Sequence, residues 1–467
     1  MFADQPKKRK KSTKKKVVLR DYQKTCLNRI KKRKKHGLFL KPGLGKTLVA
    51  LKAYEDLHKK GKVDRMIIVA NLRIAVSTWP KEIAKWGMKF NYSILHGPKK
   101  SRLLNDEDTD VFIINYEGLP WLVEAIKKQK TTRQYDMIVI DECSKIKNTK
   151  SKRFKMIKKL VLLFEYVVPM TGTPAPNHLK DLYGQIYVLD KGESLGKYIT
   201  HFLTKYFYPS GYMGYEWKPY EGAWEKIMKA IAHLVSSFGY EKVKMPEKIE
   251  SDRMVDINEE AMEVYREMEK EFIVQLQEDD VMAVSSAGLS NKLRQITGGN
   301  VYGENKKVYH IHNDKIEELK EIVEELQGSP LLVGYEFNHE LEQLLKEFPE
   351  AEYIGRGVSA KQSSIIEDRW NRGEIPLLFG QHSAIAHGLN FQEGPGCTVL
   401  FYCVPWDLEL YEQEVDRVWR SGNKNEVVTV IHLLATGTVD EAVMRAIRKK
   451  DFTQKALLEC LKSYYGV

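Results

Sequence analysis

Residues 38 to 47 read Leu-Phe-Leu-Lys-Pro-Gly-Leu-Gly-Lys-Thr, an apolar run followed by two closely spaced glycines, a lysine and a threonine. This series suits a polyphosphate. Gly43 and Gly45 let backbone N–H groups converge on phosphate oxygens, and the helix expected to start there turns its positive end toward them. Lys46 is positioned to neutralise the β- and γ-phosphates, and the Thr47 hydroxyl to hold Mg²⁺. The full GxxxxGKT pattern wants glycine at position 40, where Leu40 stands. A turn of this composition could also do no more than cap a helix.

A second group decides between these readings. Asp136-Met137-Ile138-Val139-Ile140-Asp141-Glu142 is an apolar strand ending in two adjacent carboxylates. Acids at the C-terminal end of a strand lie beside the phosphates held by a neighbouring strand–turn–helix, where α/β sheets bind ligands. Asp141 is the carboxylate suited to position Mg²⁺. Glu142 is suited to orient and deprotonate an attacking water. The chemistry predicted is ATP hydrolysis.

These groups need a scaffold, and the apolar pattern supplies one. Short apolar runs alternate with amphipathic stretches, the signature of parallel strands and helices. Strands are expected at Gly37–Leu40, Met66–Ala70, Tyr92–Leu95, Val111–Asn115, Met137–Asp141 and Tyr166–Thr171, with helices at Thr47–Lys60 and Thr78–Trp86 between them. A second series is expected at Pro330–Tyr335, Glu352–Ile354, Pro376–Gly380, Thr398–Val404 and Val427–Leu434. The fold class is α/β, with two doubly wound parallel sheets in tandem. Between them, an aromatic-rich stretch (Tyr206, Phe207, Tyr208, Tyr212, Tyr215, Trp217, Tyr220, Trp224) precedes a long helical pattern at Asn258–Glu278. Those aromatics read as a satellite core or as base-stacking platforms.

The chain has 467 residues, enough for two to four domains at about 100–200 residues each. Its net charge of +12 is unevenly spread. Residues 1–35 carry 16 basic and 2 acidic side chains, residues 36–245 carry 35 and 21, and residues 246–467 carry 24 and 40. Two basic blocks followed by an acidic one point to a polyanion held by part of the surface. Lys7–Lys16 reads KKRKKSTKKK, expected to be a disordered arm serving as a solubilising tail, a nucleic-acid arm or a nuclear-import signal. Five cysteines (Cys26, Cys143, Cys397, Cys403, Cys460) without a CxxC pair argue against a disulfide framework or zinc ribbon and for a reducing compartment. No signal segment or membrane span is evident, so an intracellular protein is expected.

The order of motifs resembles that of superfamily-two helicases, and within them the Swi/Snf-type (SNF2-like) double-stranded DNA translocases. Leu19-Arg20-Asp21-Tyr22-Gln23 resembles the adenine-reading Q motif, Gly43–Thr47 motif I, and Asp141-Glu142-Cys143-Ser144-Lys145-Ile146-Lys147-Asn148 the DEAH-x-IKN form of motif II. Asn115-Tyr116-Glu117 is similar to the TTYE strand end. Met170-Thr171-Gly172-Thr173-Pro174-Ala175-Pro176-Asn177 is similar to motif III, and Gln413-Glu414-Val415-Asp416-Arg417-Val418-Trp419-Arg420-Ser421-Gly422 to motif VI. The resemblance implies two tandem RecA-like lobes with helical insertions, ATP and Mg²⁺ in the cleft between them, and DNA lying across both.

It implies roles as well. Gln23 reads adenine; Gly43, Gly45, Lys46, Thr47, Asp141, Gly388 and Gln413 bind the nucleotide; Thr47 and Asp141 serve Mg²⁺. Arg417 and Arg420 act as arginine fingers, their spacing placing both on one helix face. Thr171 and Thr173 couple nucleotide state to DNA contacts. Lobe-one strand contacts are expected at Asn71, Arg73, Asn115, Tyr116, Lys145 and Lys147, the Lys145–Lys155 run reading equally as a solvated helix face. Cys143-Ser144 stands where the family has Ala-His, so the coupling contact made by that histidine does not carry over to this chain by resemblance. Motif V, Ser383-Ala384-Ile385-Ala386-His387-Gly388-Leu389-Asn390, lacks paired glycines.

The expected layout is a basic arm at 1–16, lobe one at 17–178, helical insertions and connector at 179–311, and lobe two at 312–467. The expected protein is a monomeric ATPase motor of minimal form, similar to those of bacteriophages and bacteria. It acts on double-stranded DNA, with single-stranded DNA or RNA as alternatives, in the cytoplasm or, given the basic arm, a nucleus. A strand-separating helicase and an ATP-switched scaffold without turnover are the rival functions.

Overall fold

A computed structural model describes residues 18–128, 133–175, 178–210, 216–277, 283–303, 307–386 and 388–449. The basic arm, Tyr212, Tyr215, Pro176, Asn177, His387 and Cys460 lie outside the described residues.

Lobe one is built on β1 (Gly37–Leu40), β2 (Arg65–Ala70), β3 (Tyr92–Ile94), β4 (Val111–Asn115), β5 (Tyr135–Asp141) and β6 (Tyr166–Thr171). A hairpin of β7 (Phe207–Ser210) and β8 (Glu216–Pro219) follows, and then β9 (Val235–Phe238). The sheet order is β3-β4-β2-β5-β6-β1-β9, all parallel. Alternation along the strands sorts the apolar side chains onto two faces. Phe39, Ile67, Val69, Phe112, Ile138 and Ile140 enter one core, and Leu38, Leu40, Met66, Ile68, Ile113 and Val139 the other. Both faces are covered, which is why these strands read as continuous apolar runs.

Lobe two repeats the plan. Its sheet runs β10 (Glu247–Val255), β17 (Val427–Ala435), β16 (Thr398–Phe401), β13 (Leu331–Tyr335), β15 (Leu377–Gln381), β14 (Glu352–Ile354), again all parallel. β11 (Asn300–Tyr302) and β12 (Val308–His310) form a separate hairpin. The chain is therefore two tandem RecA-like lobes. Among the described residues no helix is long and apolar enough to cross a membrane.

The lobe boundaries differ from those expected. Lobe one does not end at 178: β9 pairs with β1, and Leu182, Ile186, Leu189, Phe202, Phe207, Ile227 and Ile231 lie in the same core as β1, β2 and β5. Lobe two begins well before 312, because β10 pairs with β17 from Glu247↔Val427 to Val255↔Ala435, and Tyr265, Leu293 and Ile296 join its core. The connector shrinks to the residues between Phe238 and Glu247. Both strands escaped the apolar pattern because they are edges: β9 is only Val-Ser-Ser-Phe, and β10 is exposed over its first five residues and carries charges, as edge strands do. Of the aromatic stretch, Tyr206 and Phe207 are core and Trp217 packs against it, while Tyr208, Tyr220 and Trp224 are exposed.

A chain of residues 18–244 is expected to melt cooperatively in a thermal circular-dichroism scan, whereas residues 18–178 do not. The shorter piece loses seven core side chains at roughly 1.5–3 kcal/mol each, a loss of the same size as or larger than a domain's total stability of about 5–15 kcal/mol.

Candidate active site

The sheet order places β6 between β5 and β1, so three strand ends converge at one edge of lobe one. Asp141 is in register with Met170, and Thr171 with Phe39. The phosphate loop, the acidic pair and motif III are neighbours for this reason.

In the loop after β1, Gly43 and Gly45 both have φ of +80°. A Cβ at Gly43 would lie 2.5 Å from Arg420 Cγ, and one at Gly45 2.5 Å from Gln23 Nε2. Conformation and space both demand glycine there. Gly45 is the N-cap of the helix Lys46–His58, which has no capping side chain and no acid in its first turn, leaving N–H donors for an anion. Lys46 Nζ donates to Leu40 O at 2.8 Å. Burial pulls its pKa down to about 8, although Glu142 and Asp141 push the other way.

Burial, with Glu142 alongside, pushes the Asp141 carboxyl up to about 6, and the Trp79 indole donates to its Oδ2 at 3.0 Å. Glu142 has φ +54° and ψ +59°, a left-handed conformation that costs a non-glycine residue about 1–3 kcal/mol. Two hydroxyls secure its side chain: Thr171 Oγ1 at 2.7 Å and Ser144 Oγ at 3.0 Å, both to Oε1. Beneath them the buried Tyr116 hydroxyl donates to the carbonyls of Asp141 (2.7 Å) and Glu142 (3.2 Å). Tyr116 is thus a buried support for the acidic turn.

Lobe two approaches the same place. Arg417 sits in the helix Leu408–Val418, its Nε donating to Gln413 O at 3.1 Å and its Nη1 to Leu389 O at 3.0 Å. Arg420 lies in the turn beyond that helix, so the expectation of a shared helix face is wrong; the turn folds it back over Gly43, with Nη1 bonded to Asn390 Oδ1. Ser421 Oγ donates to Gly43 O at 3.2 Å. Burial and Arg420 together lower the Arg417 pKa to about 10. The nearby carboxylates are engaged elsewhere, Glu414 with His382 (2.6 Å) and Asp416 with the Tyr240 hydroxyl (2.8 Å).

All eleven residues expected at the nucleotide site, Gln23, Gly43, Gly45, Lys46, Thr47, Asp141, Glu142, Gly388, Gln413, Arg417 and Arg420, line one cleft of about 420 Å³. Gln23 also braces the loop, its Nε2 donating to Leu44 O at 3.0 Å and its Oε1 accepting from Arg20 N at 2.9 Å. Thr78, Trp79, Asn390 and Ser421 belong to the site as well; Asn390 and Ser421 stand in the segments resembling motifs V and VI without a role assigned to them, and nothing in local spacing marked Thr78 or Trp79.

The residues expected to touch nucleic acid are not brought together. Asn71 is half-exposed at the end of β2, and Asn115 Nδ2 donates to Glu117 Oε2 at 2.9 Å. Arg73 crosses to lobe two, where it bonds Ala384 O and, at 3.3 Å, Ser363 Oγ. Lys145 and Lys147 line a second cleft of about 500 Å³ with Lys152 and Arg153, facing Asp407 and Glu409 of lobe two. Lys147 Nζ also lies 3.6 Å from Asp181 Oδ2.

Comparison with known families bears on the whole arrangement. The SNF2-related domain matches residues 22–320, and the helicase conserved C-terminal domain matches residues 314–422. The chain belongs to the SNF2-related helicase family. It is 33% identical over 462 residues to protein p41 of Acyrthosiphon pisum secondary endosymbiont phage 1, an alignment covering 95% of this chain and 98% of that one. It is 22% identical over 441 residues to YwqA of Bacillus subtilis, named as an ATP-dependent helicase/translocase, covering 89% of this chain and 46% of YwqA. The chain thus spans under half the length of that relative. The Sulfolobus solfataricus SWI2/SNF2 ATPase core in complex with dsDNA is 20% identical, with a TM-score of 0.44 over 96% of this chain and 93% of that one.

Replacing Tyr116 by Phe strips two carbonyls of their buried donor and is expected to cost about 1–2 kcal/mol, read as a lowered midpoint in thermal unfolding. An unchanged midpoint would show that the acidic turn stands without it.

Proposed function

We propose that this SNF2-related chain is a monomeric motor that hydrolyses ATP between its two lobes and uses the cycle to move along double-stranded DNA. The observation that supports this is the single cleft in which Lys46, Asp141 and Glu142 of lobe one meet Arg417 and Arg420 of lobe two. A fixed binding site has no need of a base from one body and cations from another.

In this reading the loop N–H groups and Lys46 hold the β- and γ-phosphates, and Gln23 offers adenine the second N–H of its amide. The residues suit Mg²⁺: Thr47 and Asp141 are the hard oxygen donors that would hold it. When bound, the ion neutralises phosphate charge. Glu142 orients the attacking water and accepts its proton. Arg417 and Arg420 meet the charge spread over the transferring phosphoryl, a contribution of about 10³–10⁵ in rate where such arginines are measured. Their retreat from Gly43 after hydrolysis separates the lobes. DNA is held through phosphates, mainly by the basic first half, which suits a motor that must cross any sequence.

The decisive measurement compares ATPase rates with duplex DNA, single-stranded DNA, RNA and no nucleic acid. Stimulation greatest with duplex is expected; no stimulation by any of them would remove the motor. Lys46→Ala and Glu142→Gln are each expected to lower turnover by at least about 10²-fold, the typical contribution of a positioned base.

Deleting residues 1–16 is expected to weaken DNA binding and flatten its dependence on salt while sparing basal ATPase. An unchanged slope of log affinity against log salt would reduce the arm to a solubility tail.

A further inference from the structure

Where the family resemblance calls for a histidine, motif II of this chain has Ser144, whose side chain ends at one hydroxyl. That hydroxyl is buried and lies 3.0 Å from Glu142 Oε1 in lobe one and 3.3 Å from Glu409 Oε1 in lobe two. We propose that Glu409 is a positioning residue for Glu142, acting through Ser144, so that the water-activating carboxylate takes its working orientation only while the lobes are closed. The proposal rests on the ATPase reading above and specifies how this chain couples its base to lobe two.

The argument is one of proton counting. A serine hydroxyl has a single proton to donate, and here it faces two carboxylates. Both contacts are satisfied only when one of the two carboxyls is protonated; with the proton on Glu409, that group donates to Ser144 Oγ, which then donates to Glu142 Oε1. The surroundings favour that state: burial, Glu142 and Asp407 push the Glu409 carboxyl up, against Lys145 and Lys147. Gln413 Nε2, one helical turn on, donates to Glu409 Oε1 at 3.0 Å and fixes its rotamer. The Thr171 hydroxyl provides the second donor to Glu142 Oε1. With Oε1 holding both hydroxyls, Oε2 has no hydrogen bond to any described residue and is left for water at the cleft. The left-handed backbone at Glu142 is a strained state that such contacts maintain. Serine alone is too short to grip lobe two. Glu409 supplies the missing length from the other side.

The test uses the full chain with Glu409→Ala, Ser144→Ala, the double variant and Glu409→Gln, measuring ATPase kcat and KM together with thermal unfolding. Each alanine variant is expected to lose about tenfold in kcat with KM for ATP changed less than about twofold, the pattern of an interaction felt in the transition state. The double variant is expected to lose no more than either single one, because both break the same chain of contacts. Glu409→Gln, whose amide N–H can donate to Ser144 once the Gln413 amide turns its unpartnered oxygen toward position 409, is expected to keep kcat within about threefold of the wild type. Alanine variants that match the wild type in kcat, or losses that multiply in the double variant, overturn the proposal. A fall in kcat that tracks a fall in melting temperature and is equal in Glu409→Gln overturns it too. A wild-type chain with no ATPase at all overturns instead the reading on which it rests.

Discussion

Three cations, Lys46, Arg417 and Arg420, share one cleft, and among the described residues none of them has an ion-pairing carboxylate. The rest of the structure is arranged around that unfavourable fact. Burial lowers the pKa of all three, with the neighbouring arginines adding to the effect at Lys46 and Arg420 adding to it at Arg417, so each is less content as a cation here than in water. Neutral acceptors hold them in place: Leu40 O for Lys46, Gln413 O and Leu389 O for Arg417, Asn390 Oδ1 for Arg420. Carbonyl and amide oxygens orient a cation without cancelling its charge. The protein has prepared an electrostatic deficit that a polyanion relieves, and preorganisation of this kind is usually the largest single contribution to catalysis.

Such a cleft must be held shut by something elsewhere, and not too firmly. The contact strip beyond the phosphate loop does this. Thr78 Oγ1 donates to Gly388 O at 2.9 Å, Lys81 reaches Glu367 at 2.8 Å and Asp368 at 3.0 Å, and Lys85 reaches Glu393 at 3.0 Å. Lys85–Glu393 is exposed on both sides and contributes at most about 1 kcal/mol. Lys81–Glu367 is stronger, since Glu367 is buried and also accepts from Asn390 N at 2.7 Å, tying the strip to the residue that holds Arg420. A handful of polar contacts can be made and broken within one nucleotide cycle; an apolar seam of the same extent could not.

How much of this was legible follows from the distance over which each residue is positioned. Lys46, Thr47, Asp141 and Glu142 are set by the strand–turn geometry of their own segments, so residue type and spacing were enough to identify them. Arg417 and Arg420 came from the resemblance of their segment to motif VI, and for Arg420 the supposed helix face was wrong. Its place depends on a turn beyond Val418 that packs against Gly43, far away in the chain. Arg73 and Tyr116 were misjudged for the same cause: their partners, Ala384 and the Asp141 turn, come from tertiary packing that no local pattern records. The lobe limits failed where hydrophobic pattern carries no signal, at the charged and short edge strands β10 and β9.

The uneven charge of the chain takes on a different meaning from these contacts. An acidic second half might be thought only to keep clear of DNA, leaving binding to the basic first half. Yet Glu367, Asp368 and Glu393 of that half are turned toward lobe one, onto Lys81 and Lys85. Asp407 and Glu409 face Lys145 and Lys147 across the second cleft. The opposite net charges of the two lobes therefore attract across their shared face. A polyanion laid on the basic lobe competes for the same lysines that the acidic lobe holds. On the proposed reading, this competition would couple nucleic acid to lobe closure electrostatically, and screening by salt would weaken both at once. The sign of that coupling depends on which lysines the phosphates reach: at Lys81 or Lys85 they would loosen the cleft, and at Lys145 or Lys147 they would relieve the charge beside Glu409 and change how firmly it grips Ser144.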